Sequence, residues 1–273
     1  LTKMQNNLFL LIFFLLQGSL VFAKQTTLYP VQQTPKELTP LMEQELKGCF
    51  DFFWEEWNDD PKSPTYGMSN GDYVGFNQYS PIPIEHQGFY LTAIIIGVER
   101  GWISREEGEK RIIITLKTLR DLKRINGFWY HFIDPDTGKR GWKDSHNIEL
   151  SNASTGTMLL GALAAAEYFG GEVEKLTYEL YEAMNWKWFT NPVTKHPYLA
   201  CYPEDLPKNV PHGINKEGMF GGWSAYSEHI FLYILAAGAP REEFSTGADP
   251  YYAMKTYKGS YKGEEFIFCG SGA

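Results

Sequence analysis

Basic residues are scarce in this chain of 273 residues, in which 25 Lys and Arg stand against 33 Asp and Glu. The formal net charge is −8 and the sequence pI is about 5.3. No dense run of Lys or Arg forms a separate basic patch, so nucleic acid or an anionic membrane surface would be repelled. This composition excludes polyanion binding and directs attention to neutral partners.

Cysteine is also rare. The three cysteines lie far apart in the sequence: Cys49, Cys201 and Cys269. This spacing gives neither a disulfide framework nor a metal site, and buried free thiols are the favoured interpretation. His86, His131 and His146 lack the tight spacing of metal ligands as well, so no metal or other cofactor is predicted.

Long apolar runs are missing except near the start of the chain. There, residues 8–16 are apolar, and Val21-Phe22-Ala23 fits small-residue cleavage after Ala23. The run is too short for a comfortable bilayer crossing. We therefore predict a signal peptide over 1–23, a polar connector over 24–37, and a secreted or periplasmic mature chain without a membrane span.

Strand signals are poor, and helical patterns alternate between two kinds. Amphipathic patterns begin at Thr39-Pro40, at Ser104 with its capping-box partner Glu107, and at Glu172. Nearly uncharged patterns lie between them, over 88–99, 151–169 and 224–240. Like patterns recur at intervals of roughly 65 to 75 residues, which indicates helix pairs with long loops.

This alternation predicts an all-α fold in which an inner ring of buried helices lies within an outer ring of amphipathic ones. The pattern is typical of an α/α toroid of the (α/α)6-barrel type, although a stacked helical array gives a similar string. About three helix pairs make about half of such a toroid. We expect a partial toroid over 38–240 and the start of a second half over 241–273, so that the sequence is a fragment.

Two acids stand where chemistry is expected, at the starts of inner helices that follow long loops. Glu149 lies at the positive end of a helix dipole, which favours a carboxylate and suits a base. Glu228 is expected one turn into the next inner helix, where a low dielectric would keep the acid protonated for a leaving group. Such a pair is the minimum for glycoside hydrolysis. The alternatives are a charge that complements the dipole for Glu149 and an ion pair for Glu228.

The chain is rich in aromatic residues, with 8 Trp and 17 Tyr. Many stand beside Gly or Asn in the loops, where exposed rings suit the faces of sugars, although most individual rings are expected to fill the core. The candidate substrate-binding residues are His86, Gln87, Trp129, Tyr130, His131, Trp142, Trp223 and Tyr226. A structural role for His131 is about as plausible as sugar binding.

Five stretches together resemble a known family. They are GVERGWISREEG, GFWYHFIDPDTGKR, IELSNASTGTMLLGAL, MNWKW and YSEHIFLYILAAGAP. In this order and at these intervals they resemble the bacterial glucoamylase-like glycoside hydrolase domain. That domain is similar to endo-β-1,2-glucanases and to a domain of cyclic β-1,2-glucan synthases. The resemblance covers about 46–240 and implies an (α/α)6 barrel, secretion, and carboxylate chemistry on a neutral glucan at Glu149 and Glu228.

One departure concerns the helix that follows Glu149. The family pattern E-L-S-T-I-D ends in Asp, where this chain has Ser154, and the glucanase branch has Glu where this chain has Thr155. The departure indicates either another specificity or glycan binding without cleavage.

The leading prediction is a secreted glycoside hydrolase that acts on a neutral glucan-type oligosaccharide or polysaccharide. The first alternative is a non-catalytic glycan-binding toroid. The second alternative is a sugar epimerase or polysaccharide lyase that uses His131 or His229 as proton carrier, because such enzymes also use α/α toroids. The sequence predicts no oligomeric state.

Overall fold

The computed structural model describes residues 38–72, 80–141, 148–204, 206 and 212–268. Seven helices lie within these ranges, here named α1 (Pro40–Glu55), α2 (Ile84–Glu99), α3 (Arg105–Asp121), α4 (Asn152–Phe169), α5 (Gly171–Glu182), α6 (Ile230–Ala237) and α7 (Asp249–Ala253). A 3-10 turn covers Glu242–Phe244. The described chain is therefore mostly helical, as predicted.

Six short strands accompany the helices: β1 (Ile82–Pro83), β2 (Phe132–Ile133), β3 (Ala200–Cys201), β4 (Met219–Phe220), β5 (Tyr257–Tyr261) and β6 (Glu264–Phe268). They pair antiparallel as β1 with β2, β3 with β4, and β5 with β6. The β5–β6 hairpin lies where the sequence showed no strand pattern. It turns through Lys262 and Gly263, both at positive φ.

Helix α1 begins as predicted, with Pro40 as its first residue and the Thr39 hydroxyl accepting a hydrogen bond from the backbone N–H of Met42 at 3.3 Å. The described residues up to Leu46 belong to one compact unit, which is distinct from the unit that begins at Lys47. All the other elements belong to the unit that begins at Lys47.

Helices α2, α4 and α6 form the inner layer of this unit. In α2 and α4 the residues are largely small or apolar, and both helices are buried along much of their length. They cross closely at two glycines, because a Cβ added to Gly161 would lie 2.1 Å from the carbonyl oxygen of Gly88. Side chains at this crossing would force the helix backbones apart.

Helices α3 and α5 pack outside this layer and against each other. The predicted capping box of α3 is present, since the Ser104 hydroxyl accepts from the Glu107 N–H while the Glu107 carboxylate accepts from the Ser104 N–H. Ile112, Leu116, Leu176 and Leu180 bury the inner faces of the two helices. The expected alternation of inner and outer helices is therefore confirmed.

Three helix boundaries differ from the sequence pattern. Helix α2 begins at Ile84, four residues before the apolar run at 88. Helix α5 ends at Glu182, where the chain turns so that the Asn185 N–H donates to the carbonyl of Asn126 at 2.9 Å. Helix α6 begins only at Ile230, which changes the position of Glu228.

Candidate active site

A cavity of about 340 Å³ opens beside the first turns of α4 and the start of α2. Its lining combines two acids, two histidines, small hydroxyl side chains and one indole. The lining residues are Glu85, His131, Glu149, Ser151, Ala153, Ser154, Thr157, Leu199, Trp223 and His229. A concave site with a few convergent charged groups and an aromatic wall is typical of small-molecule and glycan binding.

His131 joins two carboxylates in this cavity. Its Nδ1 lies 2.7 Å from Oε1 of Glu149, and its Nε2 lies 3.0 Å from Oε1 of Glu85. The three side chains are 24% to 29% exposed. When both carboxyls are ionised, each ring nitrogen must donate, and His131 is then the doubly protonated, positively charged imidazolium.

The electrostatics of the trio favour this charge distribution. Burial opposes the charge on His131, but the hydrogen bonds and negative charges of Glu149 and Glu85 outweigh it and raise the His131 pKa to about 9. For Glu149, burial works against ionisation, yet the His131 hydrogen bond and a backbone N–H hold its pKa below the usual value. The same balance lowers the pKa of Glu85, with a contribution from the Ser154 hydroxyl.

Main-chain hydrogen bonds place the three residues side by side. The Ile84 N–H donates to the His131 carbonyl at 3.0 Å, and the His131 N–H donates to the Glu149 carbonyl at 2.9 Å. Leu150, next to Glu149, exchanges backbone bonds with Cys201 of β3. Short extended segments from four parts of the sequence therefore lie beside one another and aim Glu85, His131 and Glu149 at one cavity.

Trp223 and His229 form the aromatic wall. Their rings stack with centroids 3.5 Å apart and planes 21° apart. The Trp223 Nε1–H donates to Oδ1 of Asn152 at 3.3 Å, and the Tyr233 hydroxyl donates to the Trp223 carbonyl. Burial lowers the pKa of His229 although the nearby Glu228 charge acts against this. An uncharged imidazole stacked on an oriented indole suits contact with a sugar face.

The structure brings three predicted residues, Glu149, His131 and Trp223, into the cavity. Two others are corrected, because they belong to the core. Trp129 is fully buried and its Nε1–H donates to the Leu119 carbonyl at 3.1 Å. Gln87 is also fully buried, and its amide bonds both backbone groups of Ser69 at 2.8 and 2.9 Å. These contacts hold the fold together and leave neither side chain free for a sugar.

Three further predicted binding residues, Tyr130, His86 and Tyr226, do not line the cavity. The Tyr130 side chain is mostly buried and its hydroxyl donates to Glu204 at 2.7 Å. His86 stacks near Phe53 with ring centroids 4.8 Å apart, and burial lowers its pKa. Tyr226 is 37% exposed. Trp142 lies outside the described residues.

The expected burial of Glu228 is corrected by the structure. Its side chain is 78% exposed, and its Oε1 lies 3.7 Å from Nδ1 of His229. The physical reason is that residues 224–226 are held in an extended bridge with Lys255 instead of a helical turn. Because α6 starts two residues after Glu228, this acid precedes the helix and faces solvent.

Glu85 is the cavity acid that the sequence interpretation missed. A signal for it exists, since Ile84-Glu85 and Ile148-Glu149 repeat the same dipeptide at the start of two inner helices. Within the part of the chain that the structure describes, one oxygen of Glu85, Oε2, is buried and has no hydrogen-bond partner. A buried oxygen of this kind is able to accept a bond from a ligand hydroxyl.

The two departures from the family pattern occupy different environments. Ser154 lines the cavity, close to Glu85. Thr155 is fully buried, and its hydroxyl accepts a hydrogen bond from the Trp129 N–H at 3.2 Å. Only Ser154 therefore alters the polar lining of the cavity.

Within the described residues, no group of three or more His, Cys, Asp and Glu side chains has an arrangement suited to a metal ion. In the same residues no helix combines the length and apolar character needed to cross a bilayer. Cys49 is an exposed free thiol and Cys201 a buried one, so the expectation of burial holds for Cys201 alone of these two.

The helix layers and the cavity at their ends define a partial α/α toroid of the glucoamylase-like type. No family model matches the chain. The exo-β-1,2-glucooligosaccharide sophorohydrolase (non-reducing end) of Parabacteroides distasonis is 25% identical over 275 aligned residues, which are 89% of this chain and 36% of that protein. The chain thus spans about a third of the curated relative that it matches.

Solved structures show the same fold. The endo-β-1,2-glucanase of Chitinophaga pinensis, solved with sophorotriose and glucose, superposes with a TM-score of 0.67 at 22% identity, covering 87% of this chain and 57% of that one. A β-1,2-glucanase of P. distasonis gives a TM-score of 0.59 at 24% identity, over 81% of this chain and 30% of that one. The resemblance to the glucoamylase-like glycoside hydrolase domain is therefore confirmed.

Proposed function

We propose that the chain is part of a glycoside hydrolase that cleaves a neutral glucan, and that Glu149 works as its catalytic base. The observation that carries this proposal is the ionised, partly buried Glu149 held by His131 in a cavity whose wall is the Trp223–His229 stack. A carboxylate beside a sugar platform is the arrangement that glycoside hydrolysis needs.

The reaction requires a base and an acid on two sides of the glycosidic bond. Glu149, through the oxygen that does not bond His131, removes a proton from a water molecule whose oxygen attacks the anomeric carbon. The bond to the leaving sugar breaks as an acid protonates the glycosidic oxygen. The proposal assigns the acid to Glu228 on the family resemblance alone, since its exposed position differs from the low-dielectric site expected for such a group.

The names of the relatives support a β-1,2-linked glucan or its oligosaccharides as substrate. The sophorohydrolase and both glucanases are named for β-1,2-glucan or its fragments. Location in the periplasm or outside the cell is part of the same proposal. It is based on the apolar run over residues 8–16 and the small-residue cleavage site after Ala23.

The test is hydrolysis of β-1,2-glucan by the purified full-length protein, followed through the release of reducing sugars, with other β-glucans as comparison. We expect Glu149→Gln to lower kcat by roughly 10² to 10⁴ because general base catalysis is lost. Glu228→Gln should cause a loss of at least about 10² if Glu228 is the acid. Unchanged turnover in Glu149→Gln would refute the proposed base, and unchanged turnover in Glu228→Gln would remove Glu228 from the mechanism.

The second candidate function is glycan binding without cleavage. It is favoured by Ser154, which lines the cavity where the family pattern has a carboxylate. Binding of β-1,2-glucooligosaccharides measured by calorimetry, with no product from the unmodified full-length protein, would establish this alternative. The lyase or epimerase alternative loses support where it uses His131 as proton carrier, because both ring nitrogens of His131 are engaged by carboxylates.

A further inference from the structure

We propose that Glu85 is a positioning residue that acts through His131 on Glu149, so that the three side chains form one charged unit. Glu85 touches neither Glu149 nor the attacking water in this scheme. It holds Nε2 of His131, and His131 in turn presents Nδ1–H to Glu149. The mechanistic role of this unit rests on the proposed function, whereas its protonation state does not.

The geometry explains why a second carboxylate is needed. A neutral imidazole that faces a single carboxylate has two tautomers. In one of them, the ring nitrogen that faces Glu149 carries a lone pair instead of a proton. Glu85 at the opposite nitrogen favours the doubly protonated ring over either neutral tautomer, because each carboxylate accepts a hydrogen bond from a ring N–H. The Glu149 carboxylate is thereby held through Oε1, and its other oxygen is left for water.

The backbone reinforces the unit. Ile84, which precedes Glu85, donates its N–H to the carbonyl of His131, and His131 donates its own N–H to the carbonyl of Glu149. Each side-chain bond of the trio therefore has a main-chain bond beside it. This pairing fixes the spacing of the backbone segments that carry the three side chains.

The other charged groups near the trio are few among the described residues. Burial raises the pKa of the Tyr202 phenol, and the negative charge of nearby Glu149 adds to this effect. The positive charge of Arg140 opposes it. His229 stands on the facing wall with its pKa lowered by burial. Of these groups, Glu85 and Glu149 are the ones whose negative charges stabilise the proton on His131.

The first experiment needs no activity. Side-chain ¹⁵N shifts of His131, measured by NMR from pH 6 to 10, should show both nitrogens protonated at pH 7.5 and a midpoint near 9. In Glu85→Gln the midpoint should fall by about 1 to 2 pH units, because one of two adjacent opposite charges is gone. Glu85→Asp should restore part of the shift. A neutral His131 at pH 7.5 in the unmodified chain would overturn the proposal, even if the variants fail to fold.

The second experiment separates positioning from general stability. In the pH profile of kcat/KM for β-1,2-glucooligosaccharide hydrolysis, the pH at which activity falls on the alkaline side should be lower by about one unit in Glu85→Gln. In Glu85→Asp it should recover partly. Glu99→Gln is the control, since Glu99 bonds the Tyr168 hydroxyl far from the cavity lining, and its pH profile should match that of the unmodified chain. An unshifted limb in Glu85→Gln refutes the positioning role. If the full-length protein is inactive while the NMR midpoints are as expected, the proposed function is refuted and the charged unit is retained.

Discussion

Glu149 and Glu228 stand at the starts of two inner helices, yet the two regions have little in common. Around Glu149, three extended segments are bonded through their backbones, and the side chain is 24% exposed against His131. Around Glu228, the chain is bridged to Lys255 and the side chain is 78% exposed. The difference shows that backbone pairing before the helix, more than the helix pattern itself, decides which acid enters the cavity.

The largest expected effect comes from the crossing that holds the Glu149 region in place. Gly161→Ala should lower the free energy of unfolding by about 3 kcal/mol or more, because its Cβ meets backbone atoms of Gly88 at 2.1 to 2.6 Å. Urea unfolding followed by circular dichroism measures this change. The Glu149 region should lose its order with the crossing.

Gly48→Ala is the matched control for that variant. A Cβ at Gly48 in α1 would meet no atom within 4 Å, so the usual preference of a helix for Ala should raise stability by up to about 1 kcal/mol. Equal stability of Gly161→Ala and the unmodified chain would contradict the close approach of α2 and α4.

An intermediate effect concerns the pH dependence of stability. The folded-state pKa of His131 is raised from 6.5 to about 9, so its contribution is complete below pH 6.5 and is lost as the pH rises through 9. We expect the unfolding free energy to fall by an amount on the order of 3 kcal/mol over this window. His131→Gln should remove that part of the slope. Parallel curves for the two proteins would show that His131 is not charged in the folded state.

The smallest effect is expected at the other acid. Glu228→Gln should change the unfolding free energy by less than about 0.5 kcal/mol, because the carboxylate is surrounded by water. Glu149→Gln should cost about 1 to 3 kcal/mol, since His131 loses a charged partner in a partly buried site. Thermal or urea unfolding of the two variants side by side measures the contrast, and equal losses would contradict it.

The local helix signals in the sequence predicted much of the fold. Thr39, the Ser104–Glu107 box and the uncharged inner helices were all informative, because caps and periodicity depend on neighbours within one or two turns. The start of α6 was not predictable in this way. The bridge between Ala225 and Lys255 joins residues far apart in sequence, and it overrides a local pattern that favours a helix.

The site residues were likewise predictable where the signal was local, and not where it depended on contacts between distant parts of the sequence. Glu149 and His131 were predicted because they stand in long loops before an inner helix. Trp129 and Gln87 occupy similar sequence positions, yet backbone carbonyls of Leu119 and Ser69 engage them in the core. Glu85 was missed because its link to His131 spans 46 residues, and no local pattern reports such a contact.

The backbone ladder through Ile84, His131 and Glu149 has a practical consequence for redesign. These bonds use only N–H and carbonyl groups, so they persist when the side chains at 85, 131 and 149 are exchanged. The cavity is therefore a frame of fixed spacing on which acids, amides or hydroxyls can be permuted. A library confined to these positions would sample different chemistries on one scaffold geometry.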